Sequence, residues 1–442
     1  MDNRGSTTRA LGRATGGAAA LAVLALAAGC SSAATPSGGS TTAGPAPAAA
    51  STSAAKACVP DPLAVANTKP SATTTDKLPA DLVTKLDAAA QAGFAEAATP
   101  GAIVAVRTPQ GTWTQAYGLA DPTTKAPMTT DMHVRIGSLT KMYTGTMVMQ
   151  QIEAGKVSLD DPISKYVPGI PNGDKVTIKL LGIMQSGVAS YSTNPAFTKT
   201  LFDHPETVVY TPDQLIAYGV AKSPAFPPGE KFDYSNTNTL LLGKVLEKVT
   251  GKPLAQLYQD QLFTPLGMTN TSAPGSDPAM PNPYPQGFTL QGEPPPKTPV
   301  NATHWNPSWS GAAGELIANA ADMLTFGRAV GTGQGLMSAQ TQATRLNLVP
   351  GPAGYGFQMG SVDGWVGHAG TLPGYNTTLY YDTTTDSTVV VAVNSDVNSG
   401  NCPESPTLND DPRTAVCAGP ATRIFVAVSA AMGHEFKPNP TR

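Results

Sequence analysis

The alternation of apolar and polar positions changes character along the 442-residue chain. Residues 18–28 form one unbroken apolar run, whereas residues 31–74, rich in Ala, Ser, Thr, Gly and Pro, show no period. Periodic segments begin near Thr75. Ala102–Val106 and Trp113–Tyr117 read as strands joined by a turn over Thr108–Gly111. A second strand pair, Thr377–Tyr381 and Thr388–Val393, is joined through Asp382 to Ser387. Between these pairs the spacing becomes helical. Leu139–Ala154 stops at Gly155, Leu240–Val249 at Gly251, and Ala320–Val330 at Gly331. An apolar helix over Thr414–Met432 closes the chain. The Pro-rich stretch Ser272–Ser308 reads as a long surface excursion, and no internal repeat is present. Strands at both ends with helices between them predict one α/β domain, its sheet assembled from N- and C-terminal segments and carrying a helical insert.

The first residues bear on location. Arg4, Arg9 and Arg13 precede the apolar run, which is too short to span a bilayer and has the form of an export signal. It ends in Gly29-Cys30-Ser31, which resembles a bacterial lipobox, although Ala27 stands where leucine is usual. The expected organisation is therefore a lipoprotein signal peptide over 1–30 with Cys30 lipidated, a disordered tether over 31–74, and a folded domain over 75–442. That places the domain outside the cytoplasmic membrane, held by lipid alone. A formal net charge of −3 supplies no basic face for nucleic acid. Of the four cysteines, Cys402 and Cys417 would close a short loop before the last helix, contributing roughly 3 kcal/mol in the chain-entropy model, and Cys58 would stay free. No Cys/His cluster has metal-ligand spacing, so neither a metal nor another cofactor is expected.

Three short patterns carry chemistry. Ser138-Leu139-Thr140-Lys141 opens a predicted helix, where a spacing of three puts hydroxyl and amine on one face. A desolvated lysine can take the proton that makes serine a nucleophile, and an amide at the helix start is free to face an oxyanion. Ser53 to Lys56 repeats the pattern inside the tether, so the motif alone carries little. Tyr234-Ser235-Asn236 precedes another helix. A phenol held near two cations can serve as base and then as acid, and Asn236 can orient Lys141 and bind a substrate carbonyl. Each pattern alone is better read as packing. His368-Ala369-Gly370-Thr371 is a glycine-flanked histidine beside a strand, where a substrate backbone can approach closely.

In the order Ser-x-x-Lys, Tyr-x-Asn, His-x-Gly, separated by 96 residues (138 to 234) and 134 (234 to 368), the chain resembles the serine β-lactamase and penicillin-binding protein superfamily. Within it the chain is most similar to serine D-alanyl-D-alanine carboxypeptidases and class C β-lactamases. Val134–Ser138, Gly155–Pro162, Pro228–Asn238, Leu262–Met268 and Gly314–Met323 share the resemblance, which runs from about Thr75 to Gly433. It implies a β-lactamase-like fold in which Ser138 is acylated while Lys141 and Tyr234 manage its proton. It further implies that Asn236, His368, Gly370, Thr371 and Trp309 bind substrate, with the Ser138 and Thr371 amides as oxyanion donors. Tyr191 would line the cleft beside Trp309. Ala369 departs from the threonine usual at that place and lacks its hydroxyl. No Gly-x-Ser-x-Gly elbow is present, which argues against an α/β-hydrolase. The expected function is a D-Ala-D-Ala carboxypeptidase-like serine hydrolase on peptidoglycan peptides. The alternatives are an esterase or β-lactamase on the same fold, acting on a small ester or amide, and a non-hydrolysing penicillin- or peptidoglycan-binding lipoprotein.

Overall fold

The structure, a computed structural model, describes residues 57–69, 77–97, 99–349, 351, 353–398 and 419–437. Eight strands form one sheet: β1 (Gly101–Thr108), β2 (Gly111–Asp121), β3 (Ala126–Pro127), β4 (Ala353–Tyr355), β5 (Gly360–Val362), β6 (Trp365–Leu372), β7 (Tyr375–Asp382) and β8 (Ser387–Val393). Their spatial order is β3-β2-β1-β8-β7-β6-β5-β4, and every pairing is antiparallel. β1 and β8, from opposite ends of the chain, lie side by side at the centre, with Ala102 opposite Val393 and Arg107 opposite Thr388.

All residues of β1 and β8 are buried because the sheet is covered on both faces. Alternate side chains join different cores. Ala102, Val104, Val106, Val389, Val391 and Val393 pack under helices α2 (Ala80–Ala97) and α6 (Pro420–Ala431). Ile103, Ala105, Val390 and Ala392 face the larger core shared with the insert. α2 and α6 approach so closely at Gly93 that a Cβ there would lie 2.8 Å from the Ile424 Cα. α2 escapes the sequence reading, since an alanine-rich stretch marks no apolar stripe.

The insert holds α3 (Thr140–Glu153), α4 (Asn236–Thr250) and α5 (Ala320–Thr332), with shorter helices at Ile178–Gly182, Pro195–Asp203 and Pro212–Val220. α3 ends where Gly155 was expected to stop it, and α4 ends on the left-handed Gly251. α5 runs two residues past its expected stop, to the left-handed Gly333. Gly331 serves packing instead: a Cβ there would sit 2.2 Å from the Tyr381 ring. The closing helix is described only from Pro420, since 414–418 lie outside the described residues.

Two expectations need correction. Residues 57–69 do not belong to a tether, for they pack on the domain. Asp61 caps the short helix α1 (Pro62–Ala66), and Cys58, Val59 and Val65 are buried. Gly364 N–H donates to the Cys58 sulfur at 3.3 Å, and Arg328 Nη2 donates to the Thr68 carbonyl at 3.2 Å. Composition averaged over 31–74 concealed this short apolar stretch. Ser272–Ser308 is likewise no simple excursion. Phe288–Thr289 pairs with Val300–Asn301, Ala302 and Thr303 are buried, and Pro285 O accepts from the buried Tyr375 hydroxyl at 2.9 Å. Cys58 is a free, buried thiol. Cys30, Cys402 and Cys417 lie outside the described residues.

Candidate active site

The site begins where the strand pair Val134–Arg135 and Ile317–Ala318 feeds the 3-10 turn Gly137–Leu139 into α3. Gly137 has φ of 55°, and a Cβ on it would stand 2.8 Å from the Thr371 amide, so only glycine lets this turn press against β6. Ser138 sits in that turn ahead of its first backbone bond, Leu139 N–H to Ile136 O. Lys141, one turn on, has no exposed surface. Its amine lies 3.0 Å from Ser138 Oγ and donates to the Ala313 carbonyl at 2.9 Å. The Ala313 segment is stitched to α3, for Thr144 Oγ1 donates to Ala312 O at 2.8 Å and Leu316 N–H donates to Thr140 Oγ1 at 3.3 Å. Among the described residues no carboxylate lies within ion-pair distance of Lys141. Burial therefore holds its pKa well below the ordinary lysine range. A backbone carbonyl as the partner of Lys141 has no sequence signature, and Asn236, expected there, does not fill that place.

Tyr234 reaches the same point from the segment ahead of α4. The Lys141 nitrogen stands 4.9 Å from its ring centroid. No full hydrogen bond closes on the Tyr234 hydroxyl. Burial raises its pKa above the ordinary phenol value, and the approach of Ser138 draws it down by less. Asn236, the first residue of α4, bonds elsewhere. Its side-chain Nδ2 donates to Ser192 Oγ and its amide to Ser190 Oγ, each at 3.1 Å, and those two hydroxyls meet at 2.8 Å. The serine pair was not found from sequence, since Ser190-Tyr191-Ser192 carries no pattern of its own.

β6 supplies the third wall. It pairs with β5 only over Trp365–Gly367, so from His368 onward that edge has no strand partner among the described residues. Gly370 passes the Ile136 carbonyl, where a Cβ would lie at 2.1 Å. Thr371 is exposed, and Asn376 Nδ2 donates to its hydroxyl and to Gly370 O, both at 2.9 Å. His368 is buried, with Nδ1 on the Ala369 carbonyl and Nε2 3.1 Å from the Tyr355 hydroxyl. Burial and then Lys141 lower its pKa to about 3. The imidazole is thus neutral, and Lys141 is destabilised as a cation. The two firm cations expected around Tyr234 are absent from this arrangement, because low-dielectric burial disfavours both charges.

Trp309 is buried, its ring 6.4 Å from Phe197, and its carbonyl accepts from the Tyr191 hydroxyl at 2.6 Å. Tyr191 has no exposed surface, so it supports Trp309 from beneath and does not line a cleft.

A sheet made from both chain ends, with a serine–lysine pair opening the insert's first long helix against β6, is the architecture of the serine β-lactamase and penicillin-binding protein class. The Beta-lactamase family profile matches residues 86–408, and the chain belongs to that family. It is similar to the D-alanyl-D-alanine-carboxypeptidase/endopeptidase AmpH of Escherichia coli (strain K12), at 32% identity over 36% of this chain and 41% of that protein. It is also similar to penicillin-binding protein 4 of Amycolatopsis lactamdurans, at 28% identity over 52% and 58%. The chain thus spans about half the length of these curated relatives. Among solved structures it resembles a D-stereospecific amidohydrolase from Streptomyces sp., with 30% identity, a TM-score of 0.64, and coverage of 70% of this chain and 94% of that one.

Proposed function

We propose that this chain is a serine hydrolase that cleaves amide or ester bonds through an acyl-enzyme on Ser138, with cell-wall peptides of the D-alanyl class as substrates. One observation carries the reading: a fully buried lysine, with no counter-ion among the described residues, stands 3.0 Å from a serine hydroxyl at a helix start. The free amine takes the Ser138 proton as Oγ attacks the substrate carbonyl. The Ser138 amide and the Thr371 amide receive the oxyanion. As the scissile bond breaks, Tyr234 hands its proton to the leaving group and regains one from the Lys141 ammonium. Water then attacks the ester with the same groups acting in reverse, which restores Ser138. A phenol with a raised pKa suits this relay better than a standing phenolate. Asn236, His368, Gly370, Thr371 and Trp309 form the substrate-binding wall. Named activities of the relatives, a carboxypeptidase/endopeptidase and a D-stereospecific amidohydrolase, support the substrate class. Export with lipidation at Cys30 would put the domain beside peptidoglycan.

The test is labelling of the purified protein with a fluorescent penicillin and an activated phosphonate, beside turnover of a short-chain ester. Ser138→Ala is expected to lose all labelling. Ester turnover without penicillin labelling would favour the esterase alternative, and labelling that survives in Ser138→Ala would sink the assignment.

A further inference from the structure

His368 differs from a substrate-facing cation in a way the structure makes specific. The Ala369 carbonyl can only accept, so the ring proton is on Nδ1, and Nε2 offers a lone pair to the Tyr355 hydroxyl at 3.1 Å. Tyr355 comes from the short edge strand β4, opposite Gly360 of β5, and is itself buried. Its ring stands edge-on to the imidazole at 5.5 Å and to Tyr234 at 5.9 Å, and those two rings lie 6.0 Å from each other, so the three form one cluster. We propose that Tyr355 is a positioning residue that keeps both ring nitrogens of His368 engaged, so that the site takes bonds whose leaving portion bears no free carboxylate: amides, esters and internal peptide bonds. The proposal rests on the acyl-enzyme reading of Ser138 and names the substrates of that same site.

The surrounding groups agree. A carboxylate is recognised by a cation or by paired donors, and it is costly to desolvate without them. At this end of the site it would meet a neutral ring, the Ala369 methyl group and the one proton that the Thr371 hydroxyl has left to give. Of the buried cations bonded to neighbouring elements, Arg345 is engaged through all three guanidinium nitrogens, whereas Arg135 is held through Nη2 alone and leaves Nε and Nη1 without a partner. Arg345 donates to Thr146 Oγ1 at 2.9 Å and to Phe357 O at 3.3 Å, and Arg135 to Pro278 O at 2.9 Å and Thr303 O at 3.3 Å. Lys231, on the approach to Tyr234, lies over the Phe226 ring at 5.1 Å. The open edge of β6 beyond Gly367 can meanwhile accept an extended chain running past the scissile bond, as an internal peptide bond requires.

The experiment compares two substrates on the full chain: an N-acyl-D-alanyl-D-lactate with a free carboxylate, and its C-terminal amide. The scissile ester is the same in both, and products are read by mass. The wild type is expected to favour the amide in kcat/KM by at least about tenfold, roughly 1.4 kcal/mol. Tyr355→Phe leaves the Nε2 lone pair free to take up a proton together with an incoming carboxylate, and His368→Lys installs an ammonium. Each is expected to shift the ratio toward the free acid, and a ratio taken within one protein cancels any general loss of activity. Preference of the wild type for the free acid would overturn the proposal, as would a ratio that neither variant moves. If phosphonate labels Ser138 but neither substrate turns over, the substrate class is wrong; if Ser138 is not labelled either, the acyl-enzyme reading itself has failed.

Discussion

Lys141 and His368 are two residues whose burial bears on the proposed chemistry, and both are driven toward their neutral forms. For Lys141 the sign is direct. A general base works deprotonated, so acylation falls as pH drops through its pKa, and the depressed pKa moves that limb below the ordinary lysine range. Lys141→Met should slow acylation of an activated ester by about 10²–10⁴-fold, read by stopped flow. For His368, with its pKa near 3, no titration occurs between pH 5 and 8. His368→Gln is therefore expected to leave the shape of the kcat/KM profile unchanged over that range, whatever its amplitude; a limb that vanishes in the variant would show that His368 titrates during turnover. Ser138, Lys141 and Tyr234 were legible from sequence because their motifs are local and ordered. Ser190 and Ser192 were not, because they act through Asn236, 46 and 44 residues along the chain, and Tyr355 was not, because its three-residue strand shows no period.

At the level of elements, strands with strict alternation were readable and glycines were ambiguous. Gly155 and Gly251 end their helices as their positions suggest, but Gly331 and Gly333 trade roles. No local rule separates a glycine that stops a helix from one that admits a ring, since the deciding Tyr381 lies on β7. The two substitutions should separate them. Gly331→Val overlaps the Tyr381 ring and is expected to cost upward of about 1–3 kcal/mol. Gly333→Ala meets its left-handed backbone, at a cost of roughly 1 kcal/mol, and in addition the Cβ of the buried Gln342 at 2.7 Å, whose amide is anchored to Val330 O and Gly331 O. Urea denaturation of both variants measures the costs, and a Gly331→Val variant as stable as the parent chain would contradict the assignment. The edge strand β4 and its neighbour β5, three residues each, were too short to register as periodic, yet they deliver Tyr355 to the site.

Across the whole molecule, the two chain ends make the sheet, the insert makes the helix that Ser138 leads into, and the segment 57–69 is packed on the domain. That last feature predicts a sharp boundary. A chain beginning at residue 57 should keep full stability, whereas one beginning at residue 70 loses the buried Cys58, Val59 and Val65 and should be weaker by at least about 2 kcal/mol in urea. Equal stability of the two would show that the segment contributes nothing. The fold class was legible because strand patterns stand at both ends, but convergence of residues 138, 141, 234 and 368 depends on tertiary packing that no single stretch encodes. That convergence is tested most directly by pre-steady-state hydrolysis of a p-nitrophenyl ester, with the trapped intermediate mapped by mass. The expected result is a burst approaching one equivalent, an adduct on the peptide containing Ser138, and a burst rate that collapses in Lys141→Met. An adduct on another residue, or a burst rate undiminished without the Lys141 amine, would contradict it.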